Sequence, residues 1–153
     1  MKSFVKYAVA AGLLVAPVQA FAVTGNVIFN GDVNNTCAIT IVDAGILTTN
    51  VGQTQLSSEN AGGQAGTATV VATSSAYQVS VNAPAAFNAG SPAAPSTFAA
   101  KYSTTGASTY TNATVANPLA AGTTNVSVNL AANKTAGSFP TGTYSATVIL
   151  RCE

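Results

Sequence analysis

Short segments in which apolar and polar residues alternate recur along most of this chain, and this pattern constrains the fold more than any other feature. The segment Asn125–Ala131 shows it most clearly, because Val126, Val128 and Leu130 occupy every second position. A period of two places these side chains on one face of a β-strand. Gly, Pro, Ser and Asn, which favour turns, separate the segments. We therefore predict an all-β sandwich.

The same signals predict eight strands, at Val23–Val33, Cys37–Val42, Thr67–Thr73, Ala76–Asn82, Phe98–Ser103, Thr109–Val115, Asn125–Ala131 and Thr143–Arg151. We expect the third and fourth of them to form a hairpin around Ser74 and Ser75. Long loops are predicted at Ser58–Gly66, Ala83–Pro95 and Ala131–Gly142.

The first residues are typical of an export signal. Lys2 and Lys6 precede the apolar stretch Tyr7–Pro17, and small residues offer cleavage after Ala20 or Ala22. We favour cleavage after Ala22. A membrane anchor is the alternative, but a spanning helix needs about 20 apolar residues and this stretch has about half as many. We expect export through the periplasm.

Removal of residues 1–22 leaves 131 of the 153 residues, a length that suits one domain. Three basic and four acidic residues then remain, so the net charge is −1. Nucleic-acid binders and polybasic membrane-surface sites need clustered positive charge, which this chain lacks. We expect neither nucleic-acid binding nor direct insertion into a membrane.

The chain has two cysteines, Cys37 and Cys152. An even number in an exported protein indicates a disulfide bond. A zinc site is not expected, since there is no histidine to complete four ligands. A pair of free buried thiols is the alternative.

Residues suited to catalysis are scarce. The chain has no histidine, its four acidic residues are scattered, no Ser-x-x-Lys motif frames Lys101 or Lys134, and no phosphate-binding glycine motif occurs. We therefore expect no enzymatic activity, no catalytic residue, no cofactor and no metal.

The segment 23–33 has one apolar and one polar face. The apolar face comprises Val23, Gly25, Val27, Phe29, Gly31 and Val33, and Ile28 is the one exception on the polar face. Such a strand either fills a groove elsewhere or begins its own sandwich. Periodicity alone favours the second interpretation.

The motif Pro140-x-Gly142-x-Tyr144 predicts a tight turn before the last strand. Tyr144 then either forms a tyrosine corner, with its hydroxyl bonded back to the loop, or is an ordinary half-buried strand residue.

Three of these segments resemble one family. The run Ala22–Val27 (AVTGNV), followed by Thr36–Ile39 (TCAI), is similar to the mature start of chaperone–usher pilus subunits of the archaic class, which share a domain with spore coat protein U. The motif before the last strand resembles the C-terminal end of that family, and Thr67–Asn82 resembles its central hairpin.

The resemblance implies an immunoglobulin-like sandwich that lacks its last strand. Residues 23–36 would be a donor-strand extension and residues 37–153 the sandwich domain. A periplasmic chaperone would fill the gap until the apolar face of the next subunit's residues 23–33 replaces it at an outer-membrane usher. Other copies or related subunits would thus join head to tail in a fibre at the cell surface.

Two departures from the family pattern matter. The family's first-strand cysteine commonly pairs near Val70–Ser74, where this chain has none, so the partner here must be Cys152. The family's Asp after the final tyrosine is also replaced, by Ser145 and Ala146. A Cys37–Cys152 bond would tie strands beside the groove, which keeps open a self-complemented coat or biofilm-matrix protein. A small surface binding module is a rival from another class.

Overall fold

A computed structural model describes residues 24–105, 111–112 and 115–153 of the chain. Within these ranges the protein forms ten β-strands and no helix, so no described helix is able to cross a membrane. The chain divides into two units, residues 1–32 and residues 33–153. The predicted signal peptide lies outside the described residues.

The strands of the second unit form two antiparallel sheets, which confirms the predicted all-β fold and is consistent with a sandwich. The large sheet contains β1 (Cys37–Asp43), β2 (Thr48–Thr49), β3 (Gln55–Ser57), β4 (Gly66–Ala72), β6 (Ser96–Thr104), β7 (Thr111–Asn112) and β9 (Gly122–Lys134). The small sheet contains β5 (Gln78–Asn82), β8 (Asn117–Pro118) and β10 (Ile149–Cys152), with β5 in the middle.

Strand β9 organises the large sheet. It pairs with β6 along one edge, and with β4 and then β3 along the other. The predicted alternation is confirmed, because Val126, Leu130 and Ala132 are buried and Val128 packs against the core. A strand with partners on both edges is held along its whole length, so β9 fixes the positions of its neighbours.

The main core lies between the sheets. Val70, Tyr102 and Val126 of the large sheet meet Val79 and Val81 of the small sheet, and all five are 0–1% exposed. Burial of each valine contributes roughly 1.5–3 kcal/mol. This core joins β5 and its neighbour β10 to the large sheet.

A second, aromatic cluster holds the segment that leads to β10. Tyr144 packs against Phe87 and Phe139, with ring centroids 5.0 and 5.3 Å away. Its hydroxyl donates a hydrogen bond of 2.8 Å to the carbonyl oxygen of Pro140. The tyrosine-corner interpretation is therefore confirmed, and the chain bends at Thr141–Gly142 as predicted.

The predicted hairpin around Ser74 and Ser75 is wrong. Strands β4 and β5 lie in different sheets, and Ser74–Tyr77 carries the chain from one to the other. The physical reason is the core itself: Val70 must be covered by a second layer, and β5 supplies that layer only if it leaves the first sheet.

Several predicted boundaries also differ. Strand β9 continues to Lys134, beyond the predicted loop start at Ala131, because β3 and β6 pair with its second half. The last strand begins at Ile149, not at Thr143, since only residues 149–152 pair with β5. Strands β2, β3 and β8 were not predicted, because two or three residues are too few to show a period.

The strand predicted over Val23–Val33 is not formed. Val23 lies outside the described residues, and residues 24–36 contain no strand. Val27, Ile28 and Phe29 are 77%, 79% and 90% exposed. A β-strand needs a neighbouring edge to satisfy its backbone groups, and this segment pairs with none here.

Candidate functional site

Strand β1 has one unpaired edge. Among the described strands it pairs only with β4. The backbone N–H of Thr73 donates to the carbonyl of Thr36 at 3.0 Å, so even-numbered residues at this end of the ladder bond towards β4. Since bonding directions alternate in an antiparallel pair, the backbone groups of Ile39 and Ile41 point to the free edge.

Strand β10 also has one unpaired edge. In the described structure it pairs only with β5. Gln78 and Glu153 exchange two hydrogen bonds, of 2.7 and 3.0 Å, which fixes the phase of this ladder. The backbone groups of Leu150 and Cys152 therefore point away from β5. Each sheet thus ends in a strand with a free edge, β1 in the large sheet and β10 in the small sheet.

A disulfide bond joins these two edges at one end. Cys37 begins β1, Cys152 ends β10, and their Cα atoms lie 6.3 Å apart. The predicted bond is confirmed, and the alternative of free thiols is wrong.

Beyond the disulfide, a groove opens between β1 and the segment that leads into β10. Its volume is about 420 Å³ and most of its lining is apolar. We define the groove by its main apolar side chains, which are Ile41, Leu47, Ala68, Val128, Leu130, Ala146, Val148 and Leu150. These residues include members of both sheets, Ala68 and Val128 in the large sheet and Leu150 in the small one, so the groove reaches into the space between the sheets.

The inward face of β1 is uncovered along this groove. Ile39 and Ile41 lie on the same face as Cys37, yet they are 36% and 66% exposed. In a closed sandwich such side chains contact a strand of the other sheet. An exposed apolar edge strand is a docking or aggregation site.

Two glycines, Gly45 and Gly66, allow two segments of the chain to lie close together beside the groove. Gly45 follows β1, and a Cβ atom there would lie only 3.0 Å from the backbone nitrogen of Gly66. An isolated β-bridge between Ile46 and Gln64 holds these two segments of the chain together. Gly45 and Gly66 both line the groove, so this close contact forms part of its wall.

The lining contains few side chains suited to catalysis or metal binding. Its one carboxylate, Asp43, accepts a hydrogen bond of 2.9 Å from the Thr67 hydroxyl. No group of three metal-ligating side chains occurs in the part of the chain that the structure describes. The side chains of the groove are suited to apolar contact, and its two edges are suited to backbone hydrogen bonding.

Of the predicted site residues, the structure brings Cys37 and Cys152 together in the disulfide. Four members of the predicted donor face are exposed in the first unit: Gly25, Val27, Phe29 and Gly31. Val33 begins the second unit and is 86% exposed. Val23 lies outside the described residues.

The sequence patterns did not reveal the groove or the free edge of β1 beside it. Alternation predicts that Ile39 and Ile41 share a face, but not that this face lacks a partner strand. The exposure of an edge depends on which strands meet, and no local pattern encodes it.

Comparison with protein-family models, curated proteins and solved structures finds no match to this chain.

Proposed function

We propose that this protein is a structural subunit of an extracellular fibre or coat, and that its groove receives a β-strand from another copy. One observation carries the proposal: two unpaired strand edges flank an open apolar groove between two sheets. A β-strand added there would hydrogen-bond to an edge while its apolar face covers Ile41 and Val148.

The occupant we propose is the segment 23–33 of a second copy. Val27 and Phe29 are exposed in the isolated chain, so they are available for insertion. Asn26 and Asn30 lie on the opposite, polar face, on which Ile28 is the one apolar exception. Phe29 is the largest side chain of the apolar face and would contribute most.

The added strand would complete an immunoglobulin-like sandwich. Each copy then both donates a strand and accepts one, so the contact is head-to-tail and produces a fibre. A periplasmic chaperone would cover the groove before assembly, and an outer-membrane usher would direct the exchange. The disulfide supports passage through an oxidising compartment. We propose no enzymatic role.

A self-complemented coat or matrix protein is the second candidate. The disulfide favours it, because the bond fixes the start of β1, to which residues 23–36 are directly connected, beside β10. In that case residues 23–33 would fill the groove of their own chain. A small surface binding module has no specific observation in its favour.

Replacement of Phe29 by Asp tests the proposal. Burial of Phe29 would contribute roughly 2–3 kcal/mol, whereas an unpaired buried carboxylate costs several kcal/mol. We expect the variant to remain folded and bound to its chaperone but to form no fibres. Asn30→Asp is the matched control, because the neighbouring side chain faces solvent in the proposed strand and fibres should persist.

The measurements are co-purification with the chaperone and electron microscopy. Loss of the folded subunit itself would show that Phe29 belongs to its own domain and would favour the self-complemented candidate. Normal fibres from Phe29→Asp would contradict both candidates.

A further inference from the structure

The groove wall that leads into β10 has the geometry of a strand well before β10 begins. From Tyr144 to Cys152 every even-numbered residue is partly buried and every odd-numbered residue is exposed. This period of two runs without a break from residues 144–148 into β10. Residues 144–148 are therefore extended, although none of the described strands pairs with them.

The loop that follows β5, residues 83–95, supports this segment in place of a strand. The backbone N–H of Asn88 donates to the carbonyl oxygen of Ser145 at 2.7 Å. The backbone N–H of Ser145 donates in turn to the hydroxyl oxygen of Ser91 at 3.0 Å. Because this loop follows directly on β5, it continues along the edge that β5 covers in β10.

Asn88 also holds the segment through its side chain. Its Nδ2 donates hydrogen bonds of 2.9 Å to the Ser145 hydroxyl and 3.1 Å to the Thr147 hydroxyl, both on the exposed face. The preceding residue, Phe87, packs its ring against Tyr144 on the other face, with the ring centroids 5.0 Å apart. No residue of the loop lines the groove, so Asn88 would not contact an inserted strand.

The direction of the backbone hydrogen bonds shows which groups the loop leaves free. Both backbone groups of Ser145 bond to the loop, just as both backbone groups of Glu153 bond to Gln78 of β5. Odd-numbered residues of this segment and of β10 therefore bond on this side, and even-numbered residues point to the free edge. Within the described residues, the backbone groups of Ala146 and Val148 form no hydrogen bond. The free edge thus begins well before β10.

We infer that the 83–95 loop, through Asn88, holds residues 144–148 as a preformed acceptor edge, and that the strand inserted from another copy pairs along this edge. The inference rests on the proposed function, because it assigns how residues 23–33 of a second copy are received at the same groove. Those residues would extend along most of residues 144–152, whereas β10 alone would pair with less than half of them.

The physical advantage of a preformed edge is entropic. A segment without the loop contacts would lose its extended conformation, and ordering it again on binding would oppose association. Asn88 is thus a positioning residue, which acts on the incoming strand through Ser145 and Thr147.

The test uses the mature Phe29→Asp protein as the acceptor, since it should not donate a strand of its own. The probe is a fluorescent synthetic peptide of residues 23–35. Asn88→Leu removes the side-chain hydrogen bonds at similar volume and retains the backbone N–H. We expect it to weaken peptide binding about fivefold to tenfold by fluorescence anisotropy, because two hydrogen bonds of modest net strength are lost. By NMR, the peptide should protect the amides of Ala146 and Val148 from hydrogen exchange in the parent acceptor, and less so in the variant.

Three further variants separate positioning from stability. Asn88→Asp should restore the parent affinity, because the hydroxyls that Asn88 contacts can donate to a carboxylate. Ser91→Ala removes the acceptor of the Ser145 N–H and should also weaken binding, which keeps the inference testable if Asn88→Leu does not fold. Asn125→Leu removes a comparable exposed bond, to Thr69, outside the groove and should leave peptide binding unchanged.

Equal peptide affinity of the Asn88→Leu and parent acceptors would overturn the inference. Equal weakening by Asn88→Leu and Asn125→Leu would also overturn it, since the loop would then act only on the stability of the domain. The proposed function is read separately, from the parent acceptor. No peptide binding to that protein would contradict the proposed function and the inference with it, whereas binding that is insensitive to Asn88 would contradict the inference alone.

Discussion

At the scale of single residues, Tyr102 shows how one polar group is accommodated in this core. The side chain is fully buried, and its hydroxyl oxygen lies 2.8 Å from the carbonyl of Val79 and 2.6 Å from that of Val115. It thereby links the large sheet to β5 of the small sheet. Burial raises the pKa of this hydroxyl above its ordinary value, partly offset by a hydrogen bond to the backbone of Asn117.

Tyr102→Phe should lower the free energy of unfolding by about 1–3 kcal/mol, because buried carbonyls lose their donor. Tyr144→Phe is the control, since its bond to Pro140 is exposed and should contribute less.

The raised pKa of Tyr102 also determines how its contribution to the free energy of unfolding changes with pH. The unfolded tyrosine ionises first, so the contribution of Tyr102 is complete below about pH 10 and declines as pH rises further.

Urea unfolding of the wild type and of Tyr102→Phe between pH 7 and pH 11 measures both effects. The difference between the two proteins should be constant at neutral pH and should narrow above about pH 10. A difference that grows at high pH would contradict the assignment of the buried, protonated hydroxyl.

At the scale of elements, the disulfide joins the start of β1 to the end of β10. These strands belong to different sheets, and the bond spans 115 residues of sequence. Neither cysteine lines the groove, whose lining residues on these two strands include Ile41 and Leu150.

Replacement of both cysteines by serine should lower the free energy of unfolding by about 4–5 kcal/mol in the chain-entropy model, because the unfolded chain regains a long closed loop. Denaturant unfolding of the double variant, compared with the oxidised wild type, measures this loss. Equal midpoints would show that the strands hold together without the bond.

At the scale of the whole molecule, the proposed assembly gives each subunit a donor strand and an acceptor groove, and separate substitutions should disable each of them. Phe29→Asp leaves a subunit that accepts but does not donate. Ile41→Asp places a carboxylate in the groove and leaves a subunit that donates but does not accept. Val42→Asp is the control, because Val42 is similarly exposed at 58% but does not line the groove.

A mixture of purified Phe29→Asp and Ile41→Asp proteins should therefore form dimers and nothing longer, whereas each protein alone stays monomeric. Val42→Asp should polymerise like the wild type. Gel electrophoresis without boiling, in which strand-exchanged polymers run as a ladder, gives the distribution. A ladder of long polymers from the mixture would show that subunits join through a different surface.

Much of the architecture follows from local sequence patterns. The period of two in Asn125–Ala131 predicted the central strand and its buried face, and the segment at Cys37–Val42 predicted β1 almost to the residue. The motif before the last strand left two interpretations of Tyr144 open, and its hydrogen bond to Pro140 agrees with the tyrosine corner. In each case residues close in sequence determine the outcome, since side-chain direction and turn geometry are local properties.

Only the tertiary structure decided which strands are neighbours. It placed β4 and β5 in different sheets, because the core needs two layers, and it left β1 and β10 with free edges on either side of the groove. It also brought Thr73 to Asn34 and Thr36, 39 and 37 residues earlier in the chain. The sequence by itself determined that residues 23–33 have an apolar face, whereas the existence of an open groove depends on long-range pairing that no local period records.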